Sequence, residues 1–218
     1  MPLSNIVRYC ARLSDMQIKK EEIAGRILEA SRTEFLMKGF QKTSMRGIAD
    51  KSGVALSSIY TYYSGKDHIF KELVLPLLNE FNTMLREHNN PKYLSKDVFY
   101  SEKYHTQRIG ELFNLVENYR TELKLLLLNA QGSELADYRE ELIDRYTEKG
   151  IEFVSVFNER YPELNNSISR FFIHNATAWW ISILQEMVMH DMQEEEMKQF
   201  ITEYVNFFIA GWGRLMKV

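Results

Sequence analysis

The sequence has 218 residues, of which 45% are apolar and 26% charged, with a formal net charge of −3. This composition is typical of a globular protein, and the length suits one large domain or a small domain joined to a larger one. The single cysteine, Cys10, excludes an internal disulfide framework and fits a reducing compartment. No apolar run approaches the roughly 18 residues of a membrane span. No signal peptide is recognisable, so a cytoplasmic protein without membrane contact is expected.

Charge is distributed unevenly along the chain. Residues 1–71 hold 12 Lys and Arg against 7 Asp and Glu, a net +5, whereas residues 72–218 hold 15 against 23, a net −8. A basic amino-terminal third can meet a polyanion, which the acidic remainder would repel. The asymmetry favours a nucleic-acid contact near the amino terminus.

Hydrophobic periodicity predicts helices and shows no convincing strand alternation. Residues 1–18 have weak periodicity and are expected to form an extension. A strong helix is predicted over Lys19–Lys38, ended by Gly39, because glycine takes left-handed backbone angles without steric cost. A later helix is expected to kink or break near Leu73–Leu75, because Pro76 interrupts its apolar run.

The remaining chain predicts further helices. Their ranges are 106–118, 121–130, 137–161, 167–190 and 194–216, while residues 93–104 are ambiguous between a short helix and a loop. The predicted fold is all-α with about nine helices. A three-helix domain at residues 19–66 precedes a larger helical domain at residues 67–218.

The stretch Thr43–Lys66 has the most specific pattern. Two short amphipathic segments, Ser44–Lys51 and Ala55–Tyr63, lie on either side of Ser52-Gly53-Val54. Helix, tight turn, helix is the arrangement by which a protein places its second helix in the DNA major groove. The stretch therefore predicts a helix-turn-helix DNA-binding domain.

These residues resemble the TetR family of bacterial regulators over about residues 23–73. The motifs that carry the resemblance are Phe35…Gly39-Phe40, Thr43-Ser44…Ile48-Ala49…Ser52-Gly53-Val54, and the run from Ser57 to Phe70. The resemblance implies a ligand-responsive repressor that binds a palindromic, double-stranded operator as a homodimer and is released by a small-molecule effector. Ala55, Leu56 and Ser57 depart from the family's usual residues on the groove-facing surface.

DNA contacts divide into phosphate anchors and base readers. The resemblance suggests Thr43 or Ser44, together with Tyr60 and Lys66, as phosphate anchors. Among the groove candidates only Arg46 can contact guanine through two hydrogen bonds. The complete predicted DNA-binding set is Thr43, Ser44, Met45, Arg46, Ala55, Leu56, Ser57, Ser58, Tyr60, Thr61, Tyr62 and Lys66.

The last two predicted helices are apolar on more than one face, and such helices need a second partner. The resemblance implies a four-helix bundle formed by two helices from each subunit, whereas a larger intrachain core is the alternative explanation. The predicted dimerisation residues are Phe171, Ala178, Trp179, Ile183, Met187, Phe200, Tyr204, Phe208, Gly211 and Leu215.

A ligand pocket between helices of the larger domain is also predicted. For each candidate, a place in an ordinary core is the alternative. His174 and Asn175 form the most suggestive polar pair, because they lie on an apolar helix. The candidate lining residues are Tyr93, Phe99, Tyr104, Phe113, Tyr146, Phe153, His174, Asn175 and Trp179.

An enzyme is the main rival function. The five histidines lack metal-ligand spacing and no glycine-rich phosphate loop is present, so no catalytic residue, metal site or cofactor is predicted. Two other functions stay open: a helical protein-interaction adaptor, and a transcriptional activator of the same fold.

Overall fold

A computed structural model describes residues 3–88, 90, 94–164 and 167–218, with side chains of the first helix described from residue 17 onward. Within these ranges the regular structure consists of eight α-helices and one 3₁₀ helix. The all-α fold class predicted from periodicity is confirmed. No helix in this part of the chain is long and apolar enough to cross a membrane.

The α-helices are numbered in chain order. They are α1 (Leu3–Lys42), α2 (Met45–Ser52), α3 (Leu56–Ile59), α4 (Lys66–Glu87), α5 (Glu102–Leu128), α6 (Tyr138–Arg160), α7 (Arg170–Met189) and α8 (Glu194–Leu215), and the 3₁₀ helix Lys96–Phe99 precedes α5.

The chain divides into two compact units. The first contains the chain through Leu73 together with the later segment Asn129–Glu134, and the second contains Val74–Leu128 and Leu135–Val218. The division falls inside α4, seven residues beyond the boundary expected at residue 66. The inclusion of Asn129–Glu134 in the first unit was not anticipated from the sequence.

Three phenylalanines form the centre of the first unit. The rings of Phe35, Phe40 and Phe70 contact one another with centroid separations of 5.7, 5.1 and 5.2 Å, and all three are buried. Each such aromatic pair contributes about 0.5–1.5 kcal/mol beyond the area that it buries. The cluster joins the end of α1 to the first turns of α4.

The end of α1 turns at Gly39, as predicted. Gly39 has φ 73° and ψ 163°, a region that essentially only glycine occupies. The backbone N–H of the next residue, Phe40, donates to the carbonyl of Asn129 at 2.8 Å. The predicted start of the helix at Lys19 is wrong, because the helical backbone already begins at Leu3.

Of the kink or break predicted before Pro76, the break is not found. Helix α4 runs unbroken from Lys66 to Glu87. Proline removes the hydrogen bond to the carbonyl of Glu72. Both Glu72 and Pro76 are exposed, so water can satisfy that carbonyl and the helix continues.

A break predicted near Tyr119 is confirmed. Tyr119 has non-helical angles, φ −124° and ψ 23°, inside α5, so two helical segments meet there. The ambiguous stretch before α5 contains the 3₁₀ helix. The pocket candidate Tyr93 lies outside the described residues.

Replacing Gly39 with alanine is expected to destabilise the protein by about 1–3 kcal/mol, because an L-residue is strained at these backbone angles. The loss of stability would not come from a steric clash, because a Cβ at position 39 would lie no closer than 3.9 Å to its nearest neighbour, the side-chain oxygen of Asn129. Gly25→Ala is the matched control, in open space within α1. The Gly25→Ala substitution should raise the free energy of unfolding by about 0.5–1 kcal/mol. Urea denaturation followed by circular dichroism measures both, and shifts of the same sign would contradict the argument.

Candidate nucleic-acid interface and ligand cavity

Helix α2 begins and ends on local signals. The hydroxyl of Ser44 accepts a hydrogen bond from the backbone N–H of Gly47 at 3.1 Å, which caps the helix start. Gly53, with φ 64°, ends the helix in the left-handed conformation and turns the chain toward α3. Ile48 of α2 and Ile59 of α3 are fully buried. These features produce the predicted helix-turn-helix.

An arginine from α1 braces the turn between the two helices. The guanidinium of Arg26 donates to the carbonyl of Ser52 at 2.7 Å and to that of Gly53 at 3.3 Å. These carbonyls belong to the end of α2, where a cation also complements the helix dipole. The contact spans 26 residues of sequence, and no local pattern indicated it.

A buried carboxylate joins α1 to α2. Glu34 accepts a hydrogen bond from the ammonium of Lys38 at 2.5 Å and lies 3.6 Å from that of Lys51. The Lys38 hydrogen bond is the main cause that holds the pKa of Glu34 below its ordinary value. A Cβ at position 47 would lie 3.3 Å from a Glu34 carboxylate oxygen, so Gly47 permits this close approach.

Helix α3 is shorter than predicted. Regular helix covers only Leu56–Ile59, and the chain continues to Tyr63 in tight turns. The backbone N–H of Tyr62 donates to the carbonyl of Ile59 at 2.9 Å, and so does that of Tyr63 at 3.0 Å. The second segment of the motif is thus one helical turn extended by bonded turns.

The predicted DNA-binding residues separate into an outward and an inward group. The polar side chains of the outward group bear few internal bonds, apart from Ser44 and from Thr61, whose hydroxyl donates to the carbonyl of Ser58 at 2.7 Å. Tyr60 is 52% exposed. The exposed members are Ser44, Arg46, Ala55, Ser57, Ser58, Tyr60 and Thr61, and the half-buried ones are Met45, Leu56 and Tyr62.

Thr43 and Lys66 form the inward group. Thr43 is buried, and its hydroxyl donates to the carbonyl of Gly39 at 2.9 Å. The ammonium of Lys66 donates to the carbonyls of Phe40 at 2.7 Å and Thr43 at 2.9 Å, and lies 4.1 Å from the centre of the Phe40 ring. Burial lowers the pKa of Lys66. Both side chains hold the α1–α2 connection together, in contrast to the outward anchors expected.

The second unit contains a cavity of about 760 Å³. Helices α4 to α8 and the 3₁₀ helix all contribute to its wall. Its lining includes nine aromatic side chains, namely Phe99, Tyr104, Tyr119, Tyr146, Phe153, Trp180, Tyr204, Phe208 and Trp212. A cavity of this size with largely apolar walls suits a drug-sized ligand.

Four of the predicted pocket residues line this cavity: Phe99, Tyr104, Tyr146 and Phe153. Four others lie elsewhere, namely Phe113, His174, Asn175 and Trp179. Phe113 packs under the ammonium of Lys198, and His174 lies half-buried 4.0 Å from Asp144. Asn175 is exposed and donates to the carbonyl of Phe171 at 2.8 Å.

Trp180 takes the place expected for Trp179. It contacts Tyr146 with a ring separation of 5.0 Å and Phe81 with one of 6.4 Å. Successive side chains of an α-helix point about 100° apart. Trp179 and Trp180 therefore lie on different faces of α7, and only Trp180 faces the cavity.

The predicted dimerisation residues also separate by exposure. Phe171, Trp179, Gly211 and Leu215 are exposed, and Ala178, Phe200 and Phe208 are half-buried. Ile183, Met187 and Tyr204 are buried within this chain. These three belong to the intrachain core, because a residue already covered has no surface to offer a second copy. Sequence reasoning left Phe207 out of the dimerisation set, although it is 67% exposed.

Comparison with known proteins matches the amino-terminal part of the chain to a family model. Residues 27–73 match the model described as bacterial regulatory proteins, tetR family. YfiR of Bacillus subtilis (strain 168), an uncharacterized HTH-type transcriptional regulator, is 33% identical over 61 residues. That match spans 28% of this chain and 30% of YfiR. Both matches fall far short of the whole chain.

Solved structures share the fold over most of the chain. NalD, the secondary repressor of the MexAB-OprM multidrug efflux pump in Pseudomonas aeruginosa, has a TM-score of 0.61 at 18% identity, covering 88% of this chain and 96% of NalD. FadR of Bacillus subtilis, in complex with stearoyl-CoA, has a TM-score of 0.53 at 16% identity, covering 85% and 96%. The match to the tetR family model is confined to residues 27–73, and the likeness to these solved structures shows that the fold is shared over most of the chain.

Proposed function

We propose that this protein is a ligand-responsive transcriptional repressor that binds a palindromic operator as a homodimer. The observation that carries the proposal is the outward surface of α2 and α3. Arg46, Ser57, Ser58 and Tyr60 are exposed there, on a scaffold braced by buried contacts. A rigid scaffold that presents polar side chains is what readout in a groove requires.

The chemistry of each side chain on this surface indicates whether it reads a base or contacts a phosphate. Arg46 is the guanine reader, because its guanidinium donates two parallel hydrogen bonds. Ser44 and Tyr60 anchor phosphates through their hydroxyls, which position the protein without reading sequence. Thr43 and Lys66 act indirectly, by fixing the backbone that carries Ser44.

Arg46→Ala is expected to weaken binding by about 1–3 kcal/mol per half-site and to relax base preference at one position. Tyr60→Phe should weaken binding less and equally for all sequences, because it removes only a phosphate contact. Lys103→Ala, an exposed cation of the second unit, is the charge-matched control. Fluorescence anisotropy at fixed salt, on duplexes selected from a random library, measures all three.

The outcome that contradicts the proposal is equally concrete. If selection yields no duplex whose binding weakens as salt rises, the protein does not bind DNA in the ordinary electrostatic way. A helical protein-interaction adaptor would then be the better explanation. If Arg46→Ala behaves like Lys103→Ala, the DNA surface has been misassigned.

The exposed apolar face of α7 and α8 supports the homodimer. Phe171 is 76% exposed and Phe207 is 67% exposed, while Trp179 contacts Phe207 with a ring separation of 5.8 Å. A contiguous apolar patch of large side chains marks an interaction surface. A second copy of the same patch is self-complementary across a two-fold axis, and it suits an operator with two half-sites.

Replacing Phe171 and Phe207 together with glutamate is expected to convert a dimer to monomers at micromolar concentration, because four buried carboxylates would face one another across the two-fold axis. Tyr100→Glu, at a side chain that is 65% exposed elsewhere in the second unit, is the control and should leave the dimer intact. Sedimentation equilibrium measures both. Dimers that persist in the double variant would contradict an α7–α8 interface.

The cavity supports effector control. Helix α4 contributes Glu80, Thr83 and Met84 to the cavity wall, and its first turns carry Phe70 of the first unit's aromatic cluster. A ligand that displaces α4 would therefore act on the same helix that supports the DNA-binding unit. The size of the effect is bounded by the ligand's difference in affinity for the two states.

A further inference from the structure

The charges around the cavity point to one class of ligand. Three carboxylates line it, from Glu80, Glu87 and Glu111, whereas Arg108 is the only lysine or arginine that the described part of the chain contributes to the wall. Arg108 is paired with Glu111. The wall is therefore negative, and its one guanidinium is already engaged by a carboxylate.

Glu80 is the carboxylate placed to meet a ligand. It is half-buried in the wall, and among the residues that the structure describes it has no ion-pair partner. Glu87 is more exposed and accepts a hydrogen bond from the side-chain amide of Asn90 at 2.8 Å. A half-buried carboxylate without a cation gains from an incoming positive charge, because solvent screens it less than it screens a surface group.

Glu80 shares the cavity wall with two tyrosines, Tyr119 and Tyr146, that are sensitive to its charge. Burial, followed by the negative charges of Glu80 and Glu122, raises the pKa of Tyr119. Burial is also the main cause that raises the pKa of Tyr146, with a smaller contribution from Glu80. Both phenols line the cavity, so the field of Glu80 reaches into the space that a ligand would fill.

The aromatic walls favour the same sign of charge. Trp180 and Trp212 line the cavity, and Trp180 lies beside Tyr146. The face of an aromatic ring attracts cations, and tryptophan does so most strongly. The carboxylate of Glu80 and the aromatic rings therefore both favour a cation. An anionic ligand would be repelled by Glu80, and the guanidinium of Arg108 is already paired with Glu111.

We propose that the cavity binds lipophilic aromatic cations, with Glu80 as the charge partner and Trp180 as part of the aromatic wall. The inference rests on the proposed effector site and names its ligand class. The cation places its charge beside Glu80, and its apolar body displaces water from the aromatic lining. Glu80 then selects ligands by their charge, and the aromatic rings bind the apolar body of the ligand.

Two probes of matched shape and opposite charge test the proposal: tetraphenylphosphonium and tetraphenylborate. Isothermal titration calorimetry on the full-length protein should give a Kd for tetraphenylphosphonium at least about tenfold lower than that for tetraphenylborate. Glu80→Gln keeps the shape of the side chain and removes its charge, so it should weaken tetraphenylphosphonium binding about tenfold. Tetraphenylborate binding should stay equal or improve.

Glu159→Gln is the control, because Glu159 is an exposed carboxylate of α6 outside the cavity wall. It should leave both affinities unchanged, and equal melting temperatures would show that both variants are folded. Equal or tighter binding of tetraphenylborate, no binding of either probe, or no effect of Glu80→Gln would each overturn the proposal.

The outcome is separable from that of the proposed function. Selective cation binding without any DNA binding would support this inference and contradict the repressor. DNA binding combined with a preference for tetraphenylborate would contradict only the assignment of ligand charge.

Discussion

The connection between α1 and α2 is held by the ammonium of Lys66. It bonds the carbonyls of Phe40 and Thr43 and covers the Phe40 ring, and thereby ties the first residue of α4 to the end of α1. Three features of the first unit meet there: the turn at Gly39, the buried hydroxyl of Thr43 and the aromatic cluster. The backbone of Ser44 follows directly, so the position of α2 depends on this junction. Charge-assisted hydrogen bonds are among the stronger contacts available for such a role.

A consequence is that residues within a DNA-binding motif need not touch DNA to matter. The resemblance suggested Lys66, and either Thr43 or Ser44, as phosphate anchors, yet Thr43 and Lys66 are each bonded to carbonyls of their own unit. The outward residues, such as Arg46 and Tyr60, sit on elements that those inward bonds hold in place. Positioning and contact are therefore carried by different side chains, and a substitution of either kind would reduce binding for a different physical reason.

Local signals made much of the fold predictable. Gly39 turns the end of α1 in the left-handed conformation expected from the sequence, and the Ser44 cap and the left-handed Gly53 likewise act within a few residues. Contacts between distant residues were not predictable. Arg26 reaches Ser52 across 26 positions, and Lys66 reaches Phe40 across the same number. A periodic pattern records which residues are apolar, but not which carbonyl a distant cation meets.

The cavity illustrates the same limit at the scale of one residue. Aromatic composition indicated a pocket, and Tyr104, Tyr146 and Phe153 do line one. The choice between Trp179 and Trp180 depends on the rotation of α7 against its neighbours, which composition cannot specify. The place of Glu80 in the cavity wall was missed altogether, because a carboxylate on an amphipathic helix normally indicates a solvated face. Only its place in the cavity wall, which it shares with Tyr119 and Tyr146, distinguishes it.

The segment Asn129–Glu134 has a consequence for how the protein is made. It belongs to the first unit, where the carbonyl of Asn129 accepts the N–H of Phe40 and the N–H of Glu134 donates to the carboxylate of Asp67 at 2.8 Å. A ribosome delivers the chain from the amino terminus, and domains generally fold as units in that order. This unit is not continuous in sequence, so it cannot be completed when residue 73 emerges. Its last contacts form only after some sixty further residues, including all of α5, have been synthesised.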